Sequence, residues 1–186
     1  MHPDFEFKKV PTCVLENKEL SEVTKNVLIN VGLPGFVSPH LYFGDFEEQQ
    51  ILPSLSKWSW ASEWEGNIQK AIEYYKDFYV VGCGQNSEPI VLKPSEDPIY
   101  QVQSNGEDLI FVNSDINKLY ASLAAFLNMI DEAVLNDANV LLEQRLSEAH
   151  LSKFEKQLVQ IDLPATDANA LWTTLIKACG QFYRDV

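Results

Sequence analysis

The sequence lacks the long apolar runs expected of a secreted or membrane-spanning chain. Nowhere do about 18 apolar residues follow one another, so no transmembrane helix is predicted. The opening stretch, MHPDFEFKKVPTCVLENKEL, contains no apolar segment that could serve as the core of a signal peptide. We therefore predict a cytoplasmic protein with no membrane partner.

Cysteine and histidine are scarce and scattered. The odd number of cysteines and their wide separation argue against a disulfide framework and for a reducing compartment. A metal site needs several converging ligands, usually announced by close spacing, and neither residue type shows such spacing. We predict no metal and no cofactor. The residues concerned are Cys13, Cys83, Cys179, His2, His40 and His150.

Basic residues are also few. The chain has 14 Lys and Arg against 27 Asp and Glu, which gives a formal net charge of −13 at pH 7. Nucleic acid is therefore a poor direct partner, because affinity for phosphate comes largely from clustered Lys and Arg. A basic protein would be a natural partner, although many cytoplasmic proteins are acidic merely for solubility.

The clearest pattern that the sequence does contain is a series of four predicted strands. The runs DFYVVGCG, PIVLK, PIYQV and DLIFVN are rich in β-branched and aromatic residues and are separated by QNSE, PSED and QSNGE. These linkers are too short for crossover helices, so the sheet is an antiparallel meander. The glycines of GCGQNS lack the lysine and the following helix of a phosphate loop, and we interpret them as a bend at the strand end.

Weaker signals surround these four strands. HLYFGDFEEQQIL predicts a strand around Leu41–Phe43 and a second across Gln49–Leu52. A helix is predicted in ENKELSEVTKNVLINVGLP, with Asn17 as its cap and Gly32 just past its end. Another is predicted in WSWASEWEGNIQKAIEYY, where Ser62 and Glu65 have the spacing of a capping box.

A strand passes into a helix in IFVNSDINKLYASLAAFL. Asn113 or Ser114 is predicted to cap this helix by accepting a hydrogen bond from one of its first amide groups, and Asp115 complements the helix dipole. No histidine lies nearby in sequence to activate Ser114 as a nucleophile. We interpret the joint as structural.

The remaining chain is predicted to be helical. Two helices follow, separated by Pro164, the second capped by Thr166 or Asp167 and ending at Gly180. The predicted fold is therefore α+β: a single antiparallel meander sheet of about four to six strands, with helices packed around it and a C-terminal helical pair.

Several of these segments, in this order and spacing, resemble the SUKH superfamily of Smi/Knr-type immunity proteins of bacterial toxin systems. They are NVGLP, FYVVGCG, PIYQV and FVNSDINKLYASLAAFL. The tail QIDLPATDANALWTTLI looks like the fourth SUKH group, in which an Ile-Asp precedes a Trp-containing final helix. The resemblance implies a single domain over residues 1–186, with a core at about 17–135 and a helical extension at about 136–182.

The resemblance also implies a non-enzymatic function. Such a protein binds and neutralises a cognate polymorphic toxin, often a nuclease, and here the net charge favours a basic one. A cytoplasmic adaptor or regulatory scaffold is the alternative. A hydrolase is the third interpretation, built on Cys83 with His40 or on the carboxylates Asp45, Glu47 and Glu48. Oligomeric state has no signature in the sequence.

Two regions are candidates for binding the partner. Successive turns of a meander alternate between its two ends, so the QNSE and SNGED turns should lie side by side and gather Asn86, Glu88, Glu107 and Asp108. The PSED turn should lie at the opposite end. The second region holds Trp58 and Trp60, although such tryptophan clusters more often form the core or the wall of a groove.

Overall fold

The computed structural model describes residues 7–37, 41–43, 51–58, 67–84, 87–137, 140 and 146–181, without the side chains of residues 178–181. These residues form two compact units. The first comprises the described residues up to Ile110, and the second comprises those from Phe111 onward. We describe each unit by itself, and the single domain remains a prediction.

The first unit is built on a six-stranded antiparallel meander in which each strand pairs with its neighbour in sequence. The four predicted strands are all present, and the predicted strand Leu41–Phe43 joins them. Two further strands form a separate ribbon, β1 (Phe7–Lys8) with β2 (Leu33–Pro34). The meander strands are β3 (Phe36–Val37), β4 (Leu41–Phe43), β5 (Tyr79–Cys83), β6 (Pro89–Leu92), β7 (Ile99–Val102) and β8 (Leu109–Asn113), the last of which runs into the second unit.

One face of this sheet carries a fully buried apolar cluster. Val80, Val91 and Val102 lie on successive strands and pack with Leu55 and Ala71. Leu55 begins a short 3₁₀ helix, Leu55–Lys57, and Ala71 is the buried residue of helix α3, Ile68–Tyr75. Side chains of this size each contribute about 1.5–3 kcal/mol when fully buried, so the cluster fixes α3 on the sheet.

Gly82 allows two strands of the meander to approach closely. A Cβ at this position would lie 2.4 Å from the carbonyl oxygen of Tyr42 and 2.5 Å from the ring of Phe43. The register also shifts between Val80 and Gly82, which marks a β-bulge. Gly82 therefore lies inside β5, where it makes a close contact within the sheet, whereas Gly84 directly follows the end of the strand.

Two local predictions in the first unit are wrong. Helix α2 spans Glu22–Asn30, and its cap is Ser21, which accepts the Thr24 N–H at 3.2 Å, so Asn17 does not cap it. Ile51 and Leu52 lie in a bend, so the predicted strand does not include them, and its first two residues lie outside the described residues. Helix α3 begins after Asn67, and the proposed capping box lies outside the described residues.

The second unit is helical after β8. Helix α4 spans Ile116–Asn136, α5 spans Glu148–Ile161, and α6 spans Leu171–Gln181, with a 3₁₀ helix at Leu163–Thr166 between the last two. The rings of Phe126, Phe154 and Trp172 pack together with centroids 5.6 to 5.8 Å apart, one from each long helix. This confirms the C-terminal helical pair. Because α6 begins at Leu171, neither Thr166 nor Asp167 caps it.

The first helix of the chain, α1, spans Thr12–Leu15 and belongs to the first unit.

In the described part of the chain, no helix is both long enough and apolar enough to cross a membrane.

Candidate partner-binding surface

Two turns of the meander lie side by side at one end of the first unit. The backbone N–H of Ser104, in the turn between β7 and β8, donates a 3.1 Å hydrogen bond to the carboxylate of Glu88, which precedes β6. Antiparallel pairing places alternate turns at the same end, as expected. We call this region the turn surface and define it by Glu88, Ser104, Asn105, Glu107 and Asp108. Asn86 lies outside the described residues.

The turn between β7 and β8 is ordered by Asn105. Its carbonyl oxygen accepts the backbone N–H groups of Glu107 and Asp108 at 3.0 and 3.1 Å, and its amide donates to the Asp108 carboxylate at 2.7 Å. Gly106 has a φ of +75°, in the left-handed region that glycine tolerates best. A Cβ there would also lie 2.6 Å from the Asn67 carbonyl oxygen. The two acidic side chains therefore stand on a preformed backbone.

Helix α3 supports the same turn. The amide of Asn67 donates to the Ser104 carbonyl at 2.7 Å, and the hydroxyl of Tyr75 donates to the Glu107 carbonyl. The Lys70 ammonium lies 2.8 Å from the Glu107 carboxylate, with both side chains about half exposed. An exposed pair of this kind contributes roughly 0–1 kcal/mol, so the two backbone contacts carry more of the support. Sequence patterns gave no signal for Asn67, Lys70 or Tyr75, because each contact spans more than 30 residues.

The three carboxylates of the turn surface differ in their electrostatics. Burial raises the pKa of Glu88, and the hydrogen bonds from Ser104 only partly offset this effect. The Glu107 carboxylate is paired with Lys70, whose pKa it raises through a hydrogen bond and charge attraction. Asp108 is exposed and contacts only the neutral Asn105 amide among the side chains described. Asp108 therefore carries negative charge that no described ion pair offsets, whereas the charge of Glu107 is shared with Lys70.

Trp58 belongs to the core side of the sheet. It follows the first 3₁₀ helix, is partly buried, and packs against the apolar cluster that holds α3. This position agrees with the interpretation of tryptophan as a core or groove residue, and partner contact by Trp58 remains a prediction. Trp60 lies outside the described residues.

Asn113 and Ser114 do not cap helix α4, contrary to the prediction. The cap is Asp115, whose carboxylate accepts the backbone N–H groups of Asn117 and Lys118 at 2.9 and 3.0 Å. Asp115 lies one residue closer to the helix, where its side chain reaches the amides of the first turn. The side chains of Asn113 and Ser114 point instead into a polar network inside the second unit.

The centre of that network is Asp162, which lies at the end of α5. Its exposed fraction is only 1%. Its carboxylate accepts the Ser114 N–H at 2.7 Å, the Ser114 hydroxyl at 2.6 Å and the Asn113 amide at 3.1 Å. The Lys118 ammonium lies 3.2 Å away. Burial has the largest single effect and raises the pKa of Asp162, but the hydrogen bonds and Lys118 together outweigh it and lower that pKa.

Asn113 extends the network to the last helix. Its amide also donates to the buried Ser122 hydroxyl at 3.0 Å, and its carbonyl oxygen accepts the indole N–H of Trp172 at 3.0 Å. Every polar atom named in this chain of contacts has a partner, as stable burial requires. The motifs FVNS and QID and the tryptophan of the final helix therefore meet in one structural network.

Little in the described residues favours the hydrolase interpretation. Cys83 is half-buried, and burial raises the pKa of its thiol, which disfavours the nucleophilic thiolate. His40, Asp45, Glu47 and Glu48 lie outside the described residues. The described residues contain no group of three or more His, Cys, Asp or Glu side chains placed to hold a metal ion. Cys13 and Cys83 are both free, and the Cys179 side chain is not among those described.

Comparison with known proteins assigns most of the chain to a family. The family model described as SUKH-4 immunity protein matches residues 7–178. No curated protein and no solved structure matches the chain significantly.

Proposed function

The chain belongs to the SUKH-4 immunity protein family, and on that premise we propose that it acts by binding a cognate protein toxin and blocking it, without catalysis of its own. The family match covers most of the chain and agrees with the resemblance carried by the sequence motifs. Such a protein protects the cell that produces it, so we place its activity in the cytoplasm.

The turn surface is the proposed site of contact. The observation that carries this proposal is the hydrogen bond between Ser104 and Glu88, which joins two turns into one surface. The backbone of this surface is already held in place before binding, because Asn105 and α3 form hydrogen bonds with it. A preorganised surface loses less conformational entropy on association than a flexible one, which favours affinity.

The chemistry of the toxin is proposed from charge. A net charge of −13 attracts a basic protein over a distance of several ångströms and raises the rate of encounter. Glu107 and Asp108 would then meet basic residues around the toxin's active site. A nuclease fits this description, because enzymes that bind phosphate backbones carry clustered Lys and Arg.

Co-expression with the proteins encoded by the neighbouring genes tests this function. One of them is expected to inhibit growth when produced alone and to be tolerated when the chain is produced with it. The two proteins should also co-purify as a stoichiometric complex. Undiminished toxicity in cells that contain the folded chain, with no complex formed, would contradict the proposal and favour an adaptor function.

A further inference from the structure

A groove of about 250 Å³ lies at the C-terminal end of α3, next to Tyr75, which also contacts the turn surface. Its volume is below the roughly 300–1,000 Å³ of small-molecule sites and suits one large side chain of a protein partner. Helix α3, the chain that follows it and the end of β6 form its walls. They contribute Glu73, Tyr74, Tyr75, Lys76, Asp77, Phe78, Lys93 and Pro94.

An exposed aromatic ring marks this groove. Tyr74 is 60% exposed, whereas the neighbouring Tyr75 and Phe78 are partly buried against the apolar cluster. The ring of Tyr74 lies 5.9 Å from that of Tyr75, which limits its movement. A tyrosine ring attracts cations through the negative charge of its face, most strongly when water is excluded.

The free charges of the groove are mainly negative. The carboxylates of Glu73 and Asp77 are exposed and form no ion pair with any described residue. Lys93 is neutralised by Glu96, at 2.5 Å, which leaves Lys76 as the opposing charge. Lys76 is the C-cap of α3, so its charge partly offsets the negative end of the helix dipole.

We propose that this groove receives an arginine side chain of the toxin, an inference that rests on the proposed function. A guanidinium group is planar, stacks on an aromatic ring and forms paired hydrogen bonds with a carboxylate, and so it matches Tyr74 with Glu73 and Asp77 better than an ammonium does.

The groove is also continuous with the turn surface along α3. Lys70, Glu73 and Tyr74 have the i, i+3, i+4 spacing of one helix face, and Lys70 already contacts Glu107 of the turn surface. A toxin bound across this face would contact the acidic turns at one end and insert its arginine at the other. Residues that dominate binding energy are commonly aromatic or arginine side chains held in a pocket of the partner.

Binding measurements with four variants test the inference. The probe is a catalytically inactive form of the toxin that co-purifies with the chain. Tyr74→Leu is expected to raise Kd about tenfold through faster dissociation, while Tyr74→Phe, which keeps the ring, should stay within about threefold of the wild type. The pair Glu73→Gln with Asp77→Asn should raise Kd about tenfold. The matched control, Glu155→Gln with Asp167→Asn, removes the same charge from the second unit and should leave Kd within about twofold.

The outcomes distinguish a failure of the groove proposal from a failure of the proposed function. A wild-type chain that does not bind the toxin would overturn both. Normal wild-type binding with unchanged Kd in Tyr74→Leu and in the Glu73 and Asp77 pair, at wild-type melting temperature, would overturn the groove alone. Weakening by Tyr74→Leu without weakening by the charge pair would indicate an apolar occupant and overturn the arginine assignment. Replacing the inserted toxin arginine by alanine should weaken binding to the wild-type chain but should not weaken binding to Tyr74→Leu any further. If no toxin arginine behaves in this way, the inference is contradicted.

Discussion

The hydroxyl of Ser114 donates a 2.6 Å hydrogen bond to the carboxylate of Asp162, which lies 48 residues further along the chain. The backbone N–H of Ser114 donates to the second oxygen of the same carboxylate at 2.7 Å. This two-point contact attaches the end of α5 to the joint between β8 and α4. A residue that sequence patterns assign to helix capping therefore stabilises tertiary structure.

Asp162→Asn should destabilise the protein by about 2–4 kcal/mol, because the amide nitrogen would face hydrogen-bond donors that the carboxylate now satisfies. Urea unfolding followed by circular dichroism measures this change. The exposed Asp167→Asn serves as the control and should cost less than about 0.5 kcal/mol. Equal stability of the two variants would show that the network contributes little.

The contribution of Asp162 should depend on pH. Its pKa is lowered in the folded state, so the stabilisation is present above the unfolded pKa of about 3.9 and is lost as the pH falls through the folded value. The difference in unfolding free energy between the wild type and Asp162→Asn should therefore shrink between about pH 5 and pH 2. The raised pKa of Glu88 acts in the opposite direction, but it cancels in this difference because both proteins contain Glu88. A difference independent of pH would contradict the assignment.

Asp115→Ala should cost about 1 kcal/mol of stability, because two amide groups of α4 lose their acceptor. Asp115→Ser should recover most of this loss, since serine is also a good cap. Toxin binding by the folded variant should be unchanged. Reduced affinity at a wild-type melting temperature would instead place the joint within the binding surface.

The double substitution Glu107→Lys with Asp108→Lys should slow association with the toxin by about tenfold or more at low salt. The rate should also fall less steeply as salt is added than it does in the wild type. Glu155→Lys with Asp167→Lys makes the same change of net charge on the second unit and isolates the effect of position. Identical association rates in the two double variants would move the interface away from the turn surface.

Local patterns in the sequence determined the meander, the C-terminal helical pair and the family. Between DFYVVGCG and DLIFVN, runs of strand-forming residues alternate with short polar linkers. Linkers of that length permit only antiparallel pairing. The side-by-side position of the two turns followed from that pairing alone. Helix starts were less certain, because Asn17 and Ser21, or Ser114 and Asp115, are both acceptable caps, and only the backbone geometry decides between them.

Tertiary structure alone decided which polar side chains are free to meet a partner. Asn113, Ser114 and Glu88 are polar residues at strand ends or turns, but each is engaged by a group that lies distant in sequence: Asp162, Trp172 or Ser104. Lys70 and Tyr75 support the turn surface for the same reason, and the exposed ring of Tyr74 is distinguished from that of Tyr75 only by packing. Hydrogen bonds and packing bring together residues that are far apart in the chain. A single sequence shows composition and periodicity, but it does not show which distant residues are in contact.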